Sequence, residues 1–263
     1  MRLDKHCKVI GKPVIADTTY EQQDVRLFWH NGKIYATGSR IISMTPPQCP
    51  IALSQLDEKT LTFASVVDLD YRPQIVEKNW VPISYTDPNA VDDLYFVYCH
   101  NPFHLLRLSS ISSGTIKQAV LSTDKKEVGW EKKWGKIRGG TPCVALGEEQ
   151  LAFFHSTFFD GTRWWWVIGA ITFEKTPPFR ITKISPFPIV AHGMYTTPFV
   201  PRFKKRTFRV AFPGGFVEVQ KKGKSFFYLV YGENDSGIKV KVLNKNEVLS
   251  SLKDFQSMEK KCL

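Results

Sequence analysis

One supersecondary unit recurs along this chain and limits what it can fold into. The turn Asn31-Gly32 leads into Lys33-Ile34-Tyr35, and similar runs follow at Asp93-Leu94-Tyr95-Phe96-Val97-Tyr98, Gln150-Leu151-Ala152-Phe153-Phe154-His155 and Phe227-Tyr228-Leu229-Val230-Tyr231-Gly232. Each couples a polar turn to an aromatic-rich strand that ends on a polar or small residue. Repetition of one such unit marks a modular all-β fold, and such folds gather functional groups where the units converge. With Ile34, Leu94, Leu151 and Phe227 as equivalent positions, the intervals are 60, 57 and 76 residues. The last interval is long enough to hide a fifth unit.

Short β-branched and aromatic runs separated by Gly, Pro, Asn, Asp and Ser predict strands throughout. They are Ile34–Thr37, Ile51–Leu56, Leu61–Val67, Val81–Tyr85, Leu94–Cys99, Leu105–Leu108 and Cys143–Leu146. Further on come Leu151–His155, Trp164–Phe173, Arg180–Ile184, Phe208–Phe212, Phe226–Tyr231 and Ile238–Leu243. Only Glu247–Met258 reads as a helix, because Val248, Leu249, Leu252 and Phe255 fall at helical spacing. A propeller blade takes four strands and roughly 40–50 residues, and 263 residues accommodate about five. The expectation is an all-β, five-bladed β-propeller with a short C-terminal helix, residues 1–263 forming a single domain. A β-sandwich with long loops is the runner-up. Pro-rich spots such as Thr176-Pro177-Pro178 read as rigid loops, not linkers.

Composition excludes several classes. No apolar run approaches the roughly 18 residues a membrane-spanning helix needs. The opening Met1-Arg2-Leu3-Asp4-Lys5-His6 has no apolar segment behind its charges, so no secretory signal is expected. Cys7, Cys49, Cys99, Cys143 and Cys262 are an odd, scattered set without Cys-x-x-Cys, which predicts free thiols in an intracellular, cytoplasmic compartment. The net charge of +11 invites a nucleic-acid reading. Its excess lies at Lys125-Lys126, Lys132-Lys133, Lys204-Lys205-Arg206, Lys221-Lys222 with Lys224, and Lys260-Lys261. Most of these are turn-like, where lysines are ordinarily solvated, and no nucleic-acid-binding motif accompanies them, so nucleic acid is a poor fit as partner. A basic surface suits anionic sugars, sugar nucleotides or phosphate equally well.

Four segments are polar where a plain scaffold would not need them. They are Asp24-Val25-Arg26, Glu77-Lys78-Asn79-Trp80-Val81-Pro82, Lys136-Ile137-Arg138-Gly139-Gly140-Thr141-Pro142 and Tyr231-Gly232-Glu233-Asn234-Asp235. Asp24 and Arg26 set an acid and a base on one face of an extended segment; read alone, Asp24 caps a turn and pairs with Arg26. Lysine is a compact charge suited to phosphate, and a Trp beside Lys and Asn suits a sugar ring. Taken alone, His155 is a satisfied strand-end histidine, Trp80 a core residue and Asp235 a turn acid. There is no Gly-x-Ser-x-Gly, His-Glu-x-x-His or P-loop, and no metal is expected.

In this order the segments resemble glycoside hydrolase family 130, five-bladed propellers that include β-mannoside phosphorylases, and the related β-1,2-mannosyltransferases. The family's Glu-Asp-Pro-Arg looks like Gln23-Asp24-Val25-Arg26, and its Lys-Ile-Gly-x-Gly-x-Pro-Pro looks like Lys136-Ile137-Arg138-Gly139-Gly140-Thr141-Pro142-Cys143. A strand ending in Tyr-His is similar to Phe154-His155, Phe-Pro-x-Gly to Phe212-Pro213-Gly214-Gly215, and Tyr-Gly-x-x-Asp to Tyr231-Gly232-Glu233-Asn234-Asp235, shifted by one residue. The resemblance runs from about residue 20 to residue 243.

The resemblance implies an enzyme that makes or breaks a β-glycosidic bond with inversion, a phosphorylase or a sugar-nucleotide glycosyltransferase acting on a hexose such as mannose. It makes Asp24 the general acid or base. Arg26, Lys78, Asn79, Trp80, Asn101, Tyr231 and Asp235 would hold sugar; His100, Lys136, Arg138 and His155 would hold phosphate or diphosphate. Where many members end a strand with Arg-Pro or Arg-Asn, this chain has His100-Asn101-Pro102, and Arg138 replaces a glycine. No cofactor is implied beyond phosphate or a sugar nucleotide, the latter able to bring Mg²⁺. The alternatives are a non-catalytic carbohydrate-binding propeller, or an inverting hydrolase with Glu77 or Glu233 as second carboxylate.

Overall fold

The computed structural model describes residues 2–3, 9–11, 22–86, 92–122, 128–199 and 208–256. The chain opens with the short pair β1 (Arg2–Leu3) and β2 (Val9–Ile10). Four successive meanders follow. The first is β3 (Gln22–His30), β4 (Lys33–Arg40), β7 (Ile51–Asp57) and β8 (Thr62–Asp68), antiparallel in that order, with the small hairpin β5 (Ser43–Met44) and β6 (Pro47–Gln48) set between β4 and β7. The second is β9 (Val81–Thr86), β10 (Asp92–His100), β11 (Phe103–Ser110) and β12 (Thr115–Leu121), again neighbours in sequence order. Helix α1 (Gly129–Trp134) leads to the third: β13 (Val144–Leu146), β14 (Glu149–Phe159), β15 (Trp164–Glu174) and β16 (Ile181–Ile184). The fourth is three-stranded: β17 (Arg209–Lys221), β18 (Lys224–Glu233) and β19 (Gly237–Asn244). Helix α2 (Lys245–Ser251) and β20 (Lys253–Asp254) close the described chain.

The protein is thus mostly β, as the repeats predict. Ile34, Leu94, Leu151 and Phe227 all lie on the second strand of their meander, so the sequence-level equivalence is a structural one. The long last interval holds β15, β16 and β17 and no additional meander among the described residues; residues 200–207 lie outside them.

Local chemistry accounts for the hairpins. Asn31 and Gly32 both take positive φ, 45° and 70°, between the paired residues His30 and Lys33. Such a two-residue turn matches the twist of the flanking strands, and Asn-Gly populates it at little cost. Strand β3 then alternates: Arg26, Phe28 and His30 are buried, whereas Val25, Leu27 and Trp29 are exposed. Strands β14 and β15 are buried over most of their length on both faces, which explains their nearly unbroken apolar sequence.

The C-terminal helix is shorter than its spacing predicts. Asn244 caps α2 by accepting from the Asn246 and Glu247 amides, but the helix stops at Ser251. Leu252 is extended, and Lys253-Asp254 pair with β16 as an outer strand, so the helical run is interrupted before it resumes at Phe255-Gln256; Leu252 and Phe255 both bury their apolar side chains. Residues 257–258 of the predicted helix lie outside the described residues.

Two compact units emerge. One comprises Met1–Lys78, Ser84–Leu94 and Leu108–Lys117; the other comprises Asn79–Ile83, Tyr95–Arg107 and Gln118–Leu263. In the first, Phe28 stacks on Tyr35 at 6.0 Å, and the Nδ1 of His30 lies 2.9 Å from the Ser84 hydroxyl. In the second, Phe153, Phe216 and Phe227 pack edge to face with centroids 4.9–6.1 Å apart. That geometry aligns ring edges with ring faces and adds to simple burial.

The second unit also contains two close backbone approaches. A Cβ on Gly139 would lie 2.0 Å from the Asn79 carbonyl oxygen, and one on Gly140 would lie 2.2 Å from that of Phe153 and 2.6 Å from Pro213 Cγ. The lead-ins to β9 and β13, and the first strand β17, therefore touch through positions that tolerate only hydrogen. Gly139→Ala and Gly140→Ala should each destabilise by about 1–3 kcal/mol, as overpacking does. Gly232→Ala, where nothing lies within 4 Å, should leave the melting temperature nearly unchanged.

Candidate functional site

In the first unit, Asp24 lies on a bulge. Pairing of β3 with β4 slips between Gln23 and Arg26, so Asp24 and Val25 together oppose Gly38. Asp24 has φ 55°, and a Cβ on Gly38 would come within 2.8 Å of the Gln23 carbonyl oxygen, so the bulge needs its glycine partner. Bulges re-aim side chains and gather near active sites. The bulge also breaks the alternation expected of an acid and base on one face: Asp24 is exposed and Arg26 is buried. The Nη1 of Arg26 donates to the Asp24 carbonyl oxygen at 3.1 Å and so braces the bulge from within. Burial lowers the Arg26 pKa to about 10, against the opposing pull of the Asp24 carboxylate. Lys78 reaches the same bulge, its Nζ 3.5 Å from Gln23 Oε1.

The second unit gathers most of the other candidates. Asn79 has φ 65° and its carbonyl abuts Gly139. Arg138 and His155 exchange both main-chain hydrogen bonds, at 2.9 and 3.0 Å, and Arg138 Nη1 donates to the Thr157 hydroxyl at 2.9 Å. The Nδ1 of His155 lies 3.0 Å from the Gly139 carbonyl oxygen, which can only accept, so that nitrogen carries the proton. The ring packs on Phe212 at 4.6 Å. Lys136 is exposed.

His100 ends β10 and is 3% exposed. Burial, then the charge of Lys136, pushes its pKa down to about 4, so the imidazole is neutral at pH 7. Beside it, Asn101 Nδ2 donates to Glu131 Oε2 at 2.6 Å, and Glu131 Oε1 accepts from the Ile137 amide at 3.1 Å. Glu131 thus ties the β10–β11 turn to the Lys136–Arg138 segment. Sequence reasoning missed it because α1 is one short helix; the available signal was Trp130 and Trp134, four residues apart. Trp130 is fully buried and donates to the Ser156 hydroxyl at 2.8 Å.

Three candidates have different surroundings. Trp80 is 1% exposed and packs edge to face on Phe96 and Tyr98, at 5.8 and 5.6 Å. Tyr231, 2% exposed, belongs to the core cluster and donates to Glu233 Oε2 at 3.3 Å. Asp235 is exposed in the β18–β19 turn at φ 51°. Glu233 is fully buried and accepts from the Tyr195 and Thr197 amides at 2.7 and 2.6 Å and from Lys239 Nζ at 2.7 Å. Burial alone would raise its pKa, but Lys239, Thr197 and Tyr195 reverse this and hold it at about 2.

Cys49, Cys99 and Cys143 are free thiols, and burial pushes that of Cys143 up. Cys7, Cys262 and the basic groups at 125–126, 204–206 and 260–261 lie outside the described residues. Among the described residues, no three His, Cys, Asp or Glu side chains group so as to hold a metal ion, and no helix is long and apolar enough to cross a membrane. Next to the glycine pair, Lys136 is exposed and Arg138 half-buried.

No family model matches the chain, and no curated protein matches it. Solved structures resemble it only distantly. An α-L-arabinofuranosidase from Lactobacillus brevis is 12% identical with a TM-score of 0.47, covering 84% of this chain and 71% of that one. An α-L-arabinanase of Cellvibrio cellulosa complexed with arabinohexaose is 13% identical with a TM-score of 0.45, covering 91% and 78%. Zg3597, a family 117 glycoside hydrolase produced by the marine bacterium Zobellia galactanivorans, is 13% identical with a TM-score of 0.44, covering 86% and 71%.

The Glu233 cluster yields a test of pH dependence. A carboxylate whose folded pKa is depressed adds stability above its unfolded pKa and loses it as pH falls through the folded one. A depression from 4.5 to about 2 corresponds to about 3 kcal/mol at neutral pH. Glu233→Gln should lower the melting temperature at pH 7, and its difference from the parent should shrink between about pH 5 and pH 2 in calorimetric scans.

Proposed function

We propose that this chain is an inverting carbohydrate-active enzyme that forms or cleaves a β-glycosidic bond to a hexose such as mannose, with sugar nucleotide or phosphate as co-substrate. Asp24 serves as the general acid or base. The observation that carries the reading is the Asp24 bulge: an exposed carboxylate on a left-handed backbone, braced from beneath by a buried arginine. Non-glycine residues in that region cost of order 1 kcal/mol or more and persist where surrounding structure imposes them, often at functional sites. Its match to the acidic motif of family 130 supplies the role.

In this scheme Arg26, Lys78 and Asn79 serve the sugar, and Lys136, Arg138 and His155 receive phosphate or diphosphate. Phosphate is already nucleophilic, so phosphorolysis needs a single carboxylate, whereas inverting hydrolysis needs a second to activate water. The sequence's candidates for that second carboxylate, Glu77 and Glu233, are 1% and 0% exposed and accept hydrogen bonds from backbone amides. This favours phosphorolysis or transfer over hydrolysis. In transfer, Asp24 takes the proton of an acceptor hydroxyl; in phosphorolysis it gives one to the leaving oxygen. The architecture we propose is the five-bladed propeller in a single domain; four successive meanders, whose second strands carry Ile34, Leu94, Leu151 and Phe227, support the propeller, and the fifth blade is the sequence's expectation.

Asp24→Asn tests the assignment cleanly, because Asn tolerates the left-handed region. Turnover of β-mannosides with phosphate, or of sugar nucleotides with mannoside acceptors, should fall by about 10²–10⁴-fold. The melting temperature should hold, and unchanged turnover would exclude Asp24 from the chemistry. A thermal-shift series with inorganic phosphate, mannose 1-phosphate and sugar nucleotides separates the co-substrates, since a ligand at 100 times its Kd adds about 2.7 kcal/mol. Stabilisation by one sugar nucleotide but not by phosphate marks a transferase; the reverse marks a phosphorylase.

A further inference from the structure

The second unit holds a cavity of about 440 Å³ that none of the proposed chemistry uses. The β10–β11 turn lines it with His100, Asn101 and Phe103, the end of β12 with Ser122, the β15–β16 region with Arg180 and Thr182, and the segment after β20 with Phe255. We propose that this cavity binds a neutral polyhydroxylated ligand of one or two sugar rings.

Charge decides the ligand class. Arg180 and Lys183 are matched on the same lining by Glu174 and Asp254, and Glu174 Oε1 lies 3.9 Å from Arg180 Nη1. Lys183 is held by Glu149 at 2.8 Å. In a chain of net charge +11, this wall is balanced, which disfavours a phosphate or carboxylate and equally a cation. The remaining lining alternates apolar surface from Phe103, Ile181 and Phe255 with the amides and hydroxyls of Asn101, Ser122, Thr182 and Gln256. Apolar faces beside paired donors and acceptors fit a pyranose, whose C–H face is apolar and whose rim is hydroxyl. The volume lies within the range of small-ligand sites.

A second observation points to a missing partner. His100 is buried, and its Nε2 has no hydrogen-bond partner. An unsatisfied buried polar group costs about 1–3 kcal/mol, and most such groups in native proteins find a partner. A hydroxyl both donates and accepts, so it satisfies whichever ring nitrogen carries the proton.

The test uses saturation-transfer NMR on the full chain with a panel of neutral disaccharides, inorganic phosphate and uridine as separate probes. The parent and Asp24→Asn should both show disaccharide contact, with little from phosphate or uridine. Ser122→Trp should fill the cavity and weaken that contact, leaving only what the catalytic site contributes. Gln256→Trp, on an exposed residue whose change leaves the fold intact, should weaken it at least several-fold. The proposal is overturned if no disaccharide binds, if phosphate or uridine is preferred, or if a folded Trp variant binds as the parent does. Loss of turnover in Asp24→Asn with disaccharide contact retained keeps this site while the catalytic assignment is judged by its own assay.

Discussion

The absence of two side chains holds much of the second unit in place. At Gly139 and Gly140 the main chain runs against the Asn79 and Phe153 carbonyls at distances no Cβ allows. Because that approach is open, the Arg138 main chain pairs with His155, the His155 ring reaches the Gly139 carbonyl, and the Thr141 amide bonds the Phe153 carbonyl at 2.7 Å. Glu131 then reaches from α1 to the Ile137 amide and the Asn101 side chain. A glycine pair sets the backbone, and polar side chains lock it.

The buried polar groups follow one logic. Arg26, His155 and Glu233 are each nearly inaccessible, and each spends its hydrogen-bonding capacity on main chain that would otherwise be irregular. Burying a charge or a dipole is tolerable when its bonds are made, and costly otherwise. Arg26 steadies a bulge, His155 a glycine-rich lead-in, and Glu233 the loop carrying Tyr195 and Thr197. His100 departs from the pattern, because its Nε2 is buried without a hydrogen-bond partner.

Strand positions were readable because alternation and turn chemistry are local. All thirteen predicted runs fall on strands, and the four equivalent residues occupy equivalent strands. Strand β12 escaped because Thr115–Leu121 is an exposed edge with little apolar pattern, and α1 because six residues give too few turns to show a period. The C-terminal helix was read as continuous because Leu252 and Phe255 keep helical spacing and are both buried, although residues 252–254 are extended between two helical stretches. Among candidate site residues, motif position led to the Asp24 bulge and to the Arg138–His155 pairing. It could not separate Tyr231 and Trp80, which are polar-tipped aromatics in the core, from exposed sugar contacts. Glu131 was invisible because its role depends on two segments, thirty and six residues away, that only folding brings to it.

The third and fourth meanders differ from independent modules in one respect. Trp165 and Trp166 of β15 pair in parallel with Arg209 and Val210 of β17, joining the two into one eight-stranded sheet. That parallel pairing joins strands more than forty residues apart in sequence, at an entropic cost that grows only slowly with the length of the loop it closes. Once made, it couples the openings of both meanders. Their amides should therefore exchange with solvent as a single cooperative block, and a proteolytic cut or a mutation that frays β17 would loosen β15 as well.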